Sequence, residues 1–247
     1  MANINLARSS IHLLLASVAA IPTLAQAENA PGNVTVTVDK GDLLIRGDAG
    51  DNNIFLTETG IAGRAGTKVN GDGFESIPDG VTRDVRIDMV GGDDFVRVEL
   101  PGTNFAITNN LVVTMGAGDD NLELLQVRAP NATRIDAGDG NDIVFVDGVR
   151  SFSDFVKSDF GGEFVLRTGP GDDLFEFHNA IFRGEVDIRL GLGADGACSS
   201  QGSKFLAPHL GTFDGGGSSD GFHAIHIPNL TNFEFFPDDC TYLGARY

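Results

Sequence analysis

Apolar and polar residues alternate with a period of two along most of the chain. Short clusters of glycine and aspartate interrupt the alternation, as in "VVTMGAGDDNLELL", "TRIDAGDGNDIVFV" and "FVLRTGPGDDLFEF". Aligned three residues ahead of a shared glycine, the clusters start at Gly47, Met89, Met115, Ala137, Thr168 and Leu190. Three residues on stand Gly50, Gly92, Gly118, Gly140, Gly171 and Gly193; five on stand Asn52, Asp94, Asp120, Asp142, Asp173 and Asp195. Seven on, the position is small or apolar: Ile54, Val96, Leu122, Val144, Phe175 and Ala197. Two before each start lie Ile45, Ile87, Val113, Ile135, Leu166 and Ile188, and four before lie Leu43, Val85, Leu111, Thr133, Phe164 and Val186. Such alternation on both sides of a tight turn predicts strands with one buried face, and helical spacing fits none of it.

The starts are separated by 42, 26, 22, 31 and 22 residues. A period near 22 with two short strands per copy predicts a parallel β-helix or β-roll solenoid, because one such unit cannot bury its apolar edge alone. Stacking at about 4.8 Å lines like residue over like and satisfies the backbone. The crossover rule makes the winding right-handed. The gap of 42 reads as two units, with "NGDGFESI" (Asn70 to Ile77) as a degenerate copy; the gap of 31 reads as one unit plus an outward loop near "SFSDFVKSDFGG". About seven units would form a rod roughly 30–35 Å long. A β-sandwich is the alternative architecture, but it leaves the recurring register of the turns unexplained.

Residues 1–27 read as a secretory signal peptide: Arg8, then "IHLLLASVAAIPTLAQA" ending in the small-residue site Ala25-Gln26-Ala27. The apolar run falls short of the roughly 20 residues of a membrane-spanning helix. A secreted, periplasmic or cell-surface location follows. Residues 28–199 are assigned to the solenoid. Residues 200–247, where the pattern degrades, are assigned to a C-terminal cap. The two cysteines, Cys198 and Cys240, read as one disulfide stapling that cap, with two free buried thiols as the alternative. The bridge would close a loop of about 42 residues, worth roughly 4 kcal/mol on the chain-entropy model.

The formal charge of −18 becomes −19 without Arg8. Such a surface repels nucleic acid and anionic lipid and attracts cations or basic partners. Phe is abundant at 18 while Trp is absent, which predicts a phenylalanine and aliphatic core with few sticky aromatic patches.

Glycine in the clusters is explained by the positive φ of a tight turn. The carboxylates are not, since Asn turns a corner without charge. Stacked at about 5 Å, they repel by roughly 1 kcal/mol per pair in water and more at lower dielectric. Lys and Arg are absent from the turns, so the expected counter-charge comes from outside. "TGPGDDLFE", "MGAGDDNLE" and "AGDGNDIVF" resemble the "GGxGxDxUx" unit of the haemolysin-type, RTX calcium-binding repeats. The resemblance implies Ca²⁺ held between neighbouring turns. Its ligands would be Asp94, Asp120, Asp142, Asp173 and Asp195, with Asp93, Asp119 and Asp172 in the preceding column. Hard oxygen donors agree with calcium over zinc. The resemblance is partial: the family's units run in tandem every nine residues, and here one occurs per roughly 22. Asn52 departs from the main column, and Asn141 and Ala194 interrupt the preceding one.

No nucleophile elbow or zinc-spaced His/Cys cluster occurs. His223 and His226 of "FHAIHI" would face opposite sides of a strand. Arg134, Asp136, Arg167 and Arg189 are the residues from which a polysaccharide-active β-helix site could be built; an ordinary charged strand face explains them as well. The reading is a secreted, non-catalytic, calcium-stabilised solenoid serving as a surface, matrix or adhesion component. Its partners would be cations and an extracellular or cell-surface polymer. The alternatives are a polysaccharide lyase or hydrolase, and an acidic solenoid that binds no metal.

Overall fold

The structure is a computed structural model that describes residues 31–102, 104–150, 155–199, 203–206, 211–217, 220–223 and 230–231. The expected leader (1–27), His209, His226 and Cys240 lie outside the described residues. Strands joined by turns make up the described chain, with no helix among them and therefore none able to cross a membrane.

Three sheets are built by parallel addition. The first runs through Asp42–Arg46, Val85–Asp88, Leu111–Ala117, Thr133–Asp139, Phe164–Pro170, Val186–Leu192, Phe213–Asp214 and Leu230–Thr231. A second runs through Asn53–Thr57, Phe95–Glu99, Asn121–Leu125, Ile143–Asp147, Leu174–Phe177, Gly196–Ser199 and Gly221–His223. The third holds Arg128–Ala129, Ser158–Phe160, Ala180–Phe182 and Lys204–Phe205. In each repeat the glycine–aspartate turn joins a strand of the first sheet to one of the second, and this unit is termed a rung.

The pairing register is the one the sequence alignment predicts. Ile45, Ile87, Val113, Ile135, Leu166 and Ile188 lie over one another, as do Ile54, Val96, Leu122, Val144, Phe175 and Ala197. All twelve are buried. The third sheet aligns Ala129, Phe160, Phe182 and Phe205, and its rings stack in file, Phe160 on Phe182 at 5.3 Å and Phe182 on Phe205 at 4.9 Å. This parallel pairing departs from the antiparallel sheets of a sandwich.

Two expectations are corrected. The gap of 42 is one rung plus an insertion, since Leu43 pairs directly with Val85 and Asn53 with Phe95. Residues 70–77 enter no rung: Phe74–Ser76 pairs antiparallel to Gly60–Gly63, which itself folds back on Asn53–Thr57. Together with Asn33–Asp39, antiparallel to Asp42–Arg46, these strands end the parallel stack and occupy its open edge. The parallel sheets also continue past the expected solenoid boundary at 199. The gap of 31 is as expected, its extra residues forming the antiparallel pair Val149–Arg150 with Phe155–Val156.

Close backbone approach in the turns explains the first glycine of the motif. At Gly138, φ is +114°, and an added Cβ would lie 1.7 Å from the Gly116 carbonyl oxygen. Val90 occupies the equivalent place in its rung with φ of 76°, a left-handed conformation strained for a β-branched residue. Val90→Gly should raise stability by about 1 kcal/mol, the strain relieved less the entropy of glycine. Gly138→Ala should lower it by about 3 kcal/mol. Thermal or urea unfolding checks both; a Val90→Gly protein no more stable than the parent would contradict the strain assignment.

Candidate functional site

Each turn offers two successive residues, an inner one aligned on Asp94 and an outer one aligned on Asp93, and the structure arranges each set as a continuous hydrogen-bonded row. In the inner row, every aspartate Oδ1 accepts the backbone N–H of the equivalent residue one rung earlier. Asn52 donates to Asp94 at 2.6 Å, Asp94 to Asp120 at 2.7 Å, and Asp120 to Asp142 at 2.9 Å. Asp142 donates to Asp173 at 2.8 Å, Asp173 to Asp195 at 2.9 Å, and Asp195 to Asp220 at 3.0 Å.

The outer row runs in the opposite sense, its N–H groups donating to the preceding rung. Asp93 donates to Asp51 Oδ1 at 2.9 Å, Asp119 to Asp93 at 3.0 Å, and Asn141 to Asp119 at 2.8 Å. Asp172 donates to Asn141 Oδ1 and Ala194 to Asp172 Oδ1, both at 2.8 Å. Asn141 therefore does not interrupt the row, because its amide oxygen accepts as a carboxylate does. Ala194 offers no side-chain acceptor and ends it.

Burial separates the two rows. Asp93, Asp119 and Asp172 are exposed. The inner aspartates are 0–3% exposed, and the Oδ2 of Asp94, Asp120, Asp142, Asp173, Asp195 and Asp220 has no hydrogen-bond partner. Solvated corners, the alternative to metal binding, are thus found in the outer row and not in the inner one. Loss of water drives the inner carboxyls upward, Asp94 to about 8 and Asp120, Asp142 and Asp195 to about 7; Asp173 moves the same way. The N–H donated by the preceding rung opposes this shift. Charges of neighbouring carboxylates add to it, among them Asp51, Asp93, Asp119 and Asp172.

A buried carboxylate oxygen with no donor is costly unless a proton or a cation reaches it. Among the described residues, no three His, Cys, Asp or Glu side chains are placed so that they could hold a metal ion together. A cation in the inner row would therefore depend on one or two carboxylates supplemented by backbone carbonyls. Neighbouring turns approach closely, since an added Cβ on Gly118, Gly140 or Gly171 would fall within 2.1 Å of the Gly92, Gly118 or Gly140 oxygen of the preceding rung. Dry, unpartnered carboxylate oxygens are of the hard donor type that calcium prefers.

The other singled-out residues form no comparable site. Asp136, Arg167 and Arg189 lie side by side on the outer face of the first sheet, and Arg134 pairs with Glu163 at 2.6 Å beside them. Arg189 is tied to Asp187 at 3.3 Å. A cleft of about 480 Å³ lies beside the first outer-row turns, lined by Asn33, Asp48, Asp51, Asp93 and turn backbone. Cys198 is buried in the second sheet.

Two features escaped sequence reasoning. Asp220 extends the inner row to a seventh turn, "DGGGSSD", where Gly216 stacks on Gly191, and is its last member among the described residues. The signal was present, but Ser218 stands where the alignment required glycine. Glu176, Asp147 and His178 also group on the second sheet: Glu176 is buried, its Oε2 is 3.5 Å from His178 Nε2, and burial raises Asp147. Compared with known proteins, the chain matches no family model, no curated protein and no solved structure.

In protein stripped of divalent cations, stability should fall as pH rises from about 4 to about 8. Inner carboxyls raised to about 7 or 8 hold protons in the folded state that the unfolded chain, titrating near 3.8, releases. Their contribution is complete below the unfolded value and lost through the folded ones. Thermal melts across that range in chelator check the sign. A midpoint that climbs steadily to pH 8 would contradict it.

Proposed function

We propose that the chain is an exported parallel β-solenoid of non-catalytic role, a surface, matrix or adhesion component whose inner aspartate row takes up calcium at neutral pH. The supporting observation is the row of buried, unpartnered Oδ2 atoms from Asp94 to Asp220. Six oxygens without donors inside a folded protein, repeated at one register, support positive charge in the inner row better than the exposed outer row does. Bound calcium would supply that charge and bring neighbouring turns together. Asp94, Asp120, Asp142, Asp173, Asp195 and Asp220 would hold it with glycine-turn carbonyls. The outer carboxylates of Asp93, Asp119 and Asp172 would add to the local negative potential.

A structural role also suits the way the carboxylates are used: each Oδ1 already holds a backbone N–H in place, so the turns serve the stack. The charge of −18 suits a cation-rich, extracellular setting and a basic or polymeric partner. A Cys198–Cys240 bridge would fasten the C-terminal segment there.

Calcium at about 100 times its dissociation constant would add roughly 2.7 kcal/mol per site. At pH 7.5, millimolar calcium should raise the melting midpoint well above that in chelator, and magnesium should do less because it dehydrates reluctantly. Differential scanning calorimetry in the three buffers checks this. Equal midpoints in calcium and chelator would remove the ion and leave an acidic solenoid that binds no metal.

A further inference from the structure

The inner row carries its own control experiment at its first position. Asn52 stands where every later rung has aspartate, and its side-chain amide nitrogen donates to the Gly50 carbonyl at 2.7 Å, to Asp94 Oδ1 at 3.1 Å and to the Asp48 carbonyl at 3.3 Å. Its Oδ1 faces the preceding layer, where an added Cβ on Gly32 would lie 2.2 Å away. Exchanging the two amide atoms would set an oxygen against three acceptors, so the network assigns the orientation.

Oδ1 of each later aspartate likewise faces the preceding rung, so its Oδ2 corresponds to the Asn52 amide nitrogen. By the repeat register, the acceptors around Asp94 Oδ2 are the carbonyls of Val90 and Gly92 and the Oδ1 of Asp120; those around Asp120 Oδ2 are the carbonyls of Gly116 and Gly118 and the Oδ1 of Asp142. Around Asp94 and Asp120 such a setting offers acceptors, whereas at Asp173 the Thr168 hydroxyl also reaches the carboxyl. An amide N–H₂ satisfies such acceptors unaided; a carboxylate oxygen does not, and in the later rungs Oδ2 has no hydrogen-bond partner.

We propose that the Asn52 amide takes the place of a cation in the first rung, so that the file of ion sites begins at Asp94 and the N-terminal end of the stack stays closed without metal. The proposal rests on the calcium reading above. It also says why the first rung differs. The insertion of short antiparallel strands and the Asn33–Asp39 strand pack against this end, which must hold its shape before any ion arrives. Gly47 leaves room for this amide, since an added Cβ there would lie 2.7 Å from its nitrogen.

The test is calcium stoichiometry by equilibrium dialysis, together with melting in chelator and in calcium, for the parent, Asn52→Asp and Asp120→Asn. Asn52→Asp should bind one more calcium than the parent, melt lower in chelator and recover in calcium. Asp120→Asn should bind one fewer and melt higher in chelator. An unchanged count in Asn52→Asp, with one site lost in Asp120→Asn, overturns the Asn52 assignment and leaves the calcium reading standing; an unchanged count in both variants overturns the inner-row calcium sites as well. A parent that binds no calcium overturns both. If Asn52→Asp folds in calcium but not in chelator, the proposal is supported; if it folds in neither buffer, the proposal is overturned.

Discussion

The structure depends on one constraint: a backbone N–H buried in a turn must meet an acceptor, and at these turns the strand-to-strand ladder is supplemented by side chains. The two rows supply them. An inner N–H is received by the carboxylate one rung later and an outer N–H by the side chain one rung earlier, so successive turns are tied in both directions along the stack. Each tie needs the turns in near-contact, which a side chain at Gly138 would prevent. Glycine and aspartate recur together because each makes the other's geometry workable.

Opposed polarity of the rows has consequences at the ends. The outer row stops at Ala194, which donates an N–H and offers nothing onward. The inner row continues one rung further, to Asp220, and begins at Asn52. The antiparallel strands at the N-terminal end complete the same logic on the backbone scale: a parallel stack exposes an adhesive edge, and these strands cover it.

Much of this was legible in the sequence. Period-two alternation and the recurring glycine placed six rungs in register, down to which Ile lies over which. Burial of the inner aspartates was legible too and went unread. Asp94 stands two residues before the inward Val96, and Asp120 two before Leu122, so the same alternation that sent those residues inward sent the carboxylates with them. Treating every turn residue as solvent-facing concealed that. The gap of 42 misled for a different reason. Gly71, Gly73 and Glu75 satisfy the spacing of the motif, but spacing alone does not distinguish a rung from a hairpin folding back on its neighbour. The seventh turn was lost because the alignment was keyed to the second glycine. The Gly216 contact and Asp220 are the parts of the motif that persist there.

Why aspartate and not asparagine follows from the same atoms. Accepting the neighbour's N–H takes one oxygen, which either side chain provides. The second atom decides the outcome. A nitrogen there closes the turn permanently, as Asn52 does. An oxygen leaves the turn in need of positive charge, and burial makes that need strong, raising Asp94 to about 8. A row of asparagines would have given a rod indifferent to its surroundings. A row of aspartates ties the strength of every rung after the first to whether those buried carboxyls hold protons, and so makes the stability of the stack a function of pH.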